Sequence, residues 1–161
     1  MRERDFKFFK RDPGDPPPVT AVVERRVQFH ELDPMCVVWH GRYPEYFEAG
    51  QTAAAAKCHF SFPELRAAGI MTPIHTLHVE YLAPLRFDER FFITASLVWA
   101  ESARINMEYL IRKEDGTPVT FAYSIQLFVD GRTLEPLWFA PEIWEQCRAR
   151  WKAGEFHDAE Q

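Results

Sequence analysis

After Pro73 the chain changes period. Four consecutive runs follow, I-H-T-L-H-V-E-Y-L, R-F-F-I-T-A-S-L-V-W, R-I-N-M-E-Y-L-I-R and V-T-F-A-Y-S-I-Q-L-F-V. Each is rich in β-branched and aromatic residues, and the turn-forming segments A-P-L-R-F-D-E, A-E-S-A and K-E-D-G-T-P divide them, as expected of successive strands. Links this short make neighbours antiparallel, and a meander is the simplest topology. Ahead of them lies one long helical stretch. Pro44 falls in its first turn, Glu45 and Glu48 suit its positive end, and Y-F-E-A-G-Q-T-A-A-A-A-K carries it to about Cys58. The alanines at 53–56 give this helix a small-sided surface that a sheet can approach closely, although high helix propensity accounts for them equally well. One helix followed by a run of strands is an α+β pattern, with the helix buried against an antiparallel sheet of about five or six strands.

The rest of the chain fits around that plan. Residues 1–18 form a polar arm whose D-P-G-D-P-P-P segment excludes helix and central strand, so a flexible or surface-draped leader is expected. Residues 19–29 read as a first strand, 62–69 as a short helix stopped by glycine, and 134–139 as a further strand. P-E-I-W-E-Q-C-R-A-R-W reads as a closing amphipathic helix. Residues 19–152 make a single domain, and 153–161 a polar tail.

Composition narrows the class. The 161 residues suffice for one core. With 47% hydrophobic and 27% charged residues the chain is globular rather than disordered or fibrous. A net charge of -5 argues against a nucleic-acid partner. The three cysteines, Cys36, Cys58 and Cys147, form neither a disulfide framework nor a metal-ligand spacing, so a reducing compartment, the cytoplasm, is expected. No apolar run is long enough to span a bilayer, and the charged N-terminus has no apolar signal region behind it.

The chemistry concentrates in F-H-E-L-D-P-M-C-V-V-W-H-G-R-Y-P-E-Y-F-E, residues 29–48. A carboxylate, Asp33, and an imidazole, His40, flank a short turn beside a helix N-terminus with free backbone N–H donors. Attack on a carbonyl needs a base or nucleophile and an oxyanion site. Asp33 can supply the first, by activating water or by attacking to form a transient anhydride. The backbone N–H groups of His40 and Gly41 can supply the second, and the His40 ring can orient water or the carbonyl.

The order of elements and the string D-P-M-C-V-V-W-H-G-R-Y-P-E-Y-F-E resemble the hotdog-fold acyl-CoA thioesterases, in particular the subfamily of 4-hydroxybenzoyl-CoA thioesterase and the Tol-Pal-associated thioesterases. The similarity runs over about residues 22–129 and includes V-E-Y-L-A-P-L-R-F-D-E, which is similar to that family's second-strand signature. The resemblance implies a hotdog fold, hydrolysis of an acyl-CoA or acyl-carrier-protein thioester, no cofactor beyond the coenzyme A of the substrate, and a homodimer or homotetramer with active sites at the subunit interface. It places Asp33 on the family's catalytic aspartate and His40 on a position that is His in one branch and Tyr in the other. Trp39 and Tyr43 match aromatic positions and Glu48 an acidic position of the central helix, so these three, with Cys36, are the candidate pocket residues. Cys36 departs from the family, which has a glycine there. If that glycine serves a turn with positive φ, Cys36 implies a reshaped turn and an altered pocket. Glu31 replaces the first acid of a common D-x-D pattern.

Plainer readings stand beside these. Asp33 before Pro34 also suits an ordinary turn, and His40 an ordinary helix-end residue. Glu48 suits a buried or interfacial polar contact better than a catalyst. His30, His75 and His78 lack metal-ligand spacing, so no metal site is expected. Cys36 reads better as a small filler than as a thiol nucleophile. Arg86, Arg112, Lys113 and Arg132 lie near strand ends where a phosphate could be met, and each is equally an ordinary solvated charge. Within enzymes, a hotdog dehydratase fits less well, because its acid and histidine are spaced differently. A non-catalytic acyl- or partner-binding hotdog protein, disarmed by Cys36, is the alternative from a different class.

Overall fold

In the structure, a computed structural model that describes residues 5–157, the first strand β1 (Val19–Arg26) leads through two short 3-10 turns, Phe29–Glu31 and His40–Arg42, into the long helix α1 (Tyr43–Lys57). A short helix α2 (Phe62–Ala67) and the two-residue strand β2 (Ile70–Met71) follow. Then come β3 (Ile74–Tyr81), β4 (Arg90–Val98), β5 (Arg104–Lys113), β6 (Pro118–Leu127), a short β7 (Val129–Asp130) and the closing helix α3 (Glu142–Lys152). The main sheet has five antiparallel strands in the order β1-β4-β5-β6-β3, and β2 pairs with β7. Wrapped on α1, this is the hotdog arrangement. Among the described residues no helix is long and apolar enough to cross a membrane.

The simple meander is corrected at one point. β4, β5 and β6 are hairpin neighbours, but β3 pairs with β6, at the opposite side of the sheet from β1. The link 82–89 is therefore an arch across the end of the sheet rather than a hairpin. Its Leu85 is fully buried, and burial of that one apolar side chain holds the arch down. The strand expected at 134–139 is also absent. The pairing is made by β7, and the later segment contributes a lone bridge between Pro136 and Val129. Two residues before it, Leu134 sits at a φ of 60°, outside any strand conformation.

α1 meets the sheet over β1 and β4, with a lighter contact on β5. They come close at Gly50, where an added Cβ would stand 2.9 Å from the Ala95 Cβ and 3.0 Å from Ile93. A helix can lie this near a sheet only where a side chain is missing. Phe91, Ile93, Ala95 and Leu97 of β4 and Ile105, Met107, Tyr109 and Ile111 of β5 form the buried floor beneath it. Because the helix sits over the β1 side, the inner face of β6 and β3 is left open along one flank of α1. α3 closes the far end, Trp144 packing on Phe60 and Phe128, and Trp151 on Trp99.

The leader lies on the outer face of β5 and β6. Phe6 packs near Phe121, and Phe8 stacks on Tyr123 with ring centres 3.5 Å apart. The N–H groups of Phe8 and Phe9 both donate to Glu108 Oε1, at 2.8 and 2.9 Å, while Arg11 pairs with Glu108 Oε2 at 2.6 Å.

Candidate active site

Asp33 opens a tight turn that its own groups close. Its side-chain Oδ1 accepts the Met35 N–H at 2.8 Å, its carbonyl accepts the Cys36 N–H at 2.9 Å, and its N–H donates to the Val37 carbonyl at 2.9 Å. Aspartate before proline suits this geometry because its short carboxylate reaches the N–H two residues on. Cys36 takes the left-handed conformation the turn demands, at a φ of 58°. The position therefore does call for positive φ, and the turn forms with cysteine there.

The turn is fixed from behind. Leu32 bridges Val38 and Val37 bridges Arg86, and the Val38 N–H donates to the Leu85 carbonyl at 2.9 Å. Glu31 is buried and structural: its Oε2 accepts the Gln28 N–H at 2.7 Å, and its carbonyl accepts the Trp39 N–H at 2.9 Å. Beside it the Tyr46 phenol is pushed up by burial and by the Glu31 carboxylate, so Tyr46 stays neutral.

The helical segment begins at His40. Its first internal bond is from the Arg42 N–H to the Trp39 carbonyl, at 2.9 Å. The N–H groups of His40 and Gly41 precede any helical acceptor and lie at the positive end of the helix. The Trp39 ring lies against Gly41: an added Cβ would clash with three of its atoms, and the half-exposed ring would have to swing away. Tyr81 of β3 donates its hydroxyl to the His40 carbonyl at 2.9 Å, and its ring meets Tyr43 edge-on at 5.2 Å.

Asp33 and His40 come together on one open cleft of about 280 Å³, walled by Tyr43, Tyr81, Met35 and the arch residues Leu82 and Pro84. Burial pushes the Tyr43 phenol up to about 12, with the Thr120 hydroxyl pulling the other way. Tyr43 can therefore donate a hydrogen bond at neutral pH but cannot act as a base. The structure does not bring Cys36 or Glu48 into this cleft. Cys36 is exposed on the turn, and Trp39, 48% exposed, lies over Gly41 outside the cleft lining. Glu48 lines a second hollow farther along α1, with Phe47, Gln51, Leu77, Tyr109 and Gln126. Of the four cations noted in the sequence, Lys113 pairs with Glu89 at 2.9 Å, Arg112 donates to the Gly116 carbonyl, Arg86 adjoins the cleft through its bridge to Val37, and Arg132 stands in the turn after β7, its N–H donating to Asp130 Oδ1 at 2.8 Å.

Sequence reasoning missed Tyr81, Gln51 and Gln126. A signal for the last was present. In β6, Thr120, Ala122, Ser124 and Gln126 alternate with Val119, Phe121, Tyr123 and Ile125. The Gln126 side chain reaches Gln51 on α1, while Phe121 and Tyr123 meet the leader. The strand thus turns its small and polar side toward the helix, the reverse of what an apolar core asks for, which marks a cavity lining.

The sequence model of the thioesterase superfamily matches residues 35–120. Acyl-CoA thioester hydrolase YbgC of Escherichia coli is 25% identical over 111 residues, covering 69% of this chain and 83% of that protein. Acyl-acyl carrier protein thioesterase ATL3 of Arabidopsis thaliana is 27% identical over 111 residues, covering 68% of this chain, which spans 58% of that protein. The crystal structure of DHNA-CoA thioesterase from Staphylococcus aureus shares the fold, with a TM-score of 0.74 at 22% identity over 88% of this chain and 97% of that one. The family match spans more than half of the chain, which therefore belongs to the thioesterase superfamily.

Proposed function

For this member of the thioesterase superfamily, we propose that the cleft beside Asp33 hydrolyses an acyl-CoA thioester to the free acid and coenzyme A. The observation that carries the reading is the shared cleft of Asp33 and the start of α1. Oδ1 of Asp33 is held by the Met35 N–H. Oδ2 is then the oxygen that acts on the carbonyl carbon, through one water as general base or directly as nucleophile. Charge building on the carbonyl oxygen is met by the N–H groups of His40 and Gly41, where fixed donors and the helix dipole favour an anion. The thiolate then leaves, and in the direct route water cleaves the anhydride. Coenzyme A enters as part of the substrate, and hydrolysis written this way needs no other cofactor.

The non-catalytic alternative rested on Cys36 disturbing the turn. The hydrogen bonds formed on both sides of Cys36 favour the catalytic reading over it. The name of the E. coli relative favours coenzyme A as the carrier of the acyl group, and that of the plant relative keeps an acyl carrier protein in view. β3 is a free edge whose Ile74, Leu77 and Tyr81 are exposed. Pairing of this edge with that of a second copy would cover them and close the open side of the cleft, so the working unit is a homodimer or a multiple of it.

The test is thiol release from benzoyl-, butyryl-, octanoyl- and palmitoyl-CoA and from the same acyl groups on a phosphopantetheinylated carrier protein. Turnover on a CoA ester supports the reading. Turnover on the carrier protein alone replaces the substrate class, and silence on both from folded protein rejects it.

A further inference from the structure

The hollow between α1 and β3 holds a polar floor that the proposed hydrolysis does not use. It has a volume of about 270 Å³, with Phe47 and Leu77 on its walls, Glu48 at the rim and Gln51, Tyr109 and Gln126 beneath. Gln51 and Gln126 face each other as a reciprocal amide pair: Gln51 Nε2 donates to Gln126 Oε1 at 3.0 Å, and Gln126 Nε2 donates to Gln51 Oε1 at 2.8 Å. The Tyr109 hydroxyl also donates to Gln51 Oε1, at 2.9 Å, and shares a hydrogen bond of 3.1 Å with Ser124. Gln126 is 1% exposed, and Tyr109 and Ser124 are as deeply buried. Placing four polar side chains in a sheet–helix core gains nothing for packing, where aliphatic residues of the same size would do as well. What the cluster does provide is a rigid, oriented amide pair. Each amide nitrogen carries two hydrogens and spends one on the other glutamine, so one hydrogen on each stays available. Glu48, at the rim, has no ion pair or hydrogen bond among the described residues and offers only acceptors.

A hydroxyl can both donate to a carboxylate such as Glu48 and accept from an amide N–H. We propose that this hollow seats the distal part of the acyl group, and that Gln51, Gln126 and Glu48 select acyl chains carrying a hydroxyl there. The inference rests on the hydrolytic reading of the neighbouring cleft. The two hollows follow one another along α1, the first bounded by Tyr43 and Tyr81 and the second by Phe47 and Leu77. From the first turn of α1 to Gln51 the helix rises by about 10 Å once the backward tilt of side chains is counted. The selected hydroxyl therefore stands well beyond a benzoyl ring, at the reach of a hydroxylated phenylpropenoyl group or a mid-length hydroxyalkanoyl chain. The shared chemistry is the distal hydroxyl.

The test compares two matched pairs, para-coumaroyl with cinnamoyl and ω-hydroxyoctanoyl with octanoyl. Non-hydrolysable thioether analogues of the CoA esters are titrated onto the full chain by calorimetry, and thioester turnover is read in parallel. A hydrogen-bond pair that includes a carboxylate predicts at least a tenfold tighter Kd for the hydroxylated member of one pair. That preference should fall to about onefold in Gln51→Leu, and in Glu48→Ala, whose exposed position leaves folding intact. The pair that shows the preference identifies the chain as aromatic or aliphatic. Equal Kd values in both pairs, or a preference that survives both substitutions, overturns the proposal even if every ester is hydrolysed. A Kd preference without turnover would leave the hollow's role standing and reject the hydrolytic reading instead.

Discussion

The Tyr81 hydroxyl donates to the His40 carbonyl at 2.9 Å, tying the edge strand β3 to the first residue of the helical segment. That bond fixes the orientation of the peptide between His40 and Gly41, and with it the aim of the Gly41 N–H. Tyr81→Phe should cost about 1 kcal/mol of stability, the usual net worth of such a bond, and lower kcat several-fold with little change in KM. Urea unfolding and thiol-release kinetics read the two effects separately. An unchanged kcat would show that the peptide is held without Tyr81.

Cys36 holds a φ of 58°, where a side chain is strained and glycine is not. Relief of about 1 kcal/mol in Cys36→Gly is offset in part by the extra freedom of the unfolded chain, so the variant should be as stable as the parent or slightly more so, and equally active. Cys36→Val, branched at Cβ, should lose about 1 to 2 kcal/mol and distort the loop that carries Asp33. Paired denaturation midpoints check this. A glycine variant less stable than the valine variant would contradict the strain argument.

Glu108 lies on the outer face of the sheet, buried, and receives two leader N–H groups and the Arg11 guanidinium. Removing one side of a buried charged pair costs about 3 kcal/mol. Glu108→Ala should lose about that much and should expose the leader to proteolysis, read as faster trimming of its N-terminal residues with the domain intact. Equal trimming rates would mean that aromatic stacking alone holds the leader.

These residues also show how far a sequence can be read. The helix, the strands β4 to β6 and the Asp33 turn were legible because local chemistry determines them: alternation, proline in a first turn, aspartate before proline. The placement of β3 was not, since an arch of eight residues and a hairpin look alike until Leu85 has a core to enter. The docking of the leader was not, because nothing local links Phe8 to Tyr123 or Glu108 across a hundred residues. For the cleft, Asp33 and His40 belong to one contiguous string and were visible. Tyr81, Gln51 and Gln126 reach their hollows only through tertiary packing, and the polar alternation of β6 was their sole trace.

Tyr43 and Tyr109 give the fold a ceiling in pH. Burial raises both phenols to about 12, against opposing hydrogen bonds from Thr120 and Ser124 respectively. The folded state thus keeps protons that the unfolded chain releases from about pH 10 upward. Their contribution to stability is complete below pH 10 and is lost as the pH rises through about 12. At the acid end Glu89 behaves in the opposite sense. Burial works against its carboxylate, but the Lys113 ammonium and the Arg86 N–H outweigh that and hold its pKa below the usual value. Its contribution is present above the unfolded value near 4.5 and is lost as the pH falls through the depressed one. Urea midpoints across pH, with phenolate absorbance followed in parallel, should show the alkaline fall and diminish it in Tyr109→Phe. Titration of all five tyrosines by about pH 10 without loss of stability would contradict the burial of Tyr43 and Tyr109.

The central claim is that Asp33 performs the chemistry at the start of α1. The most direct measurement is kcat/KM of Asp33→Asn beside wild type on the best acyl-CoA ester, with the variant's fold verified by circular dichroism. The asparagine keeps the turn's hydrogen bond to Met35 and removes only the basic or nucleophilic oxygen. The account predicts a fall of about 10³-fold, carried by kcat. An Asp33→Asn enzyme that releases thiol as fast as wild type would contradict it.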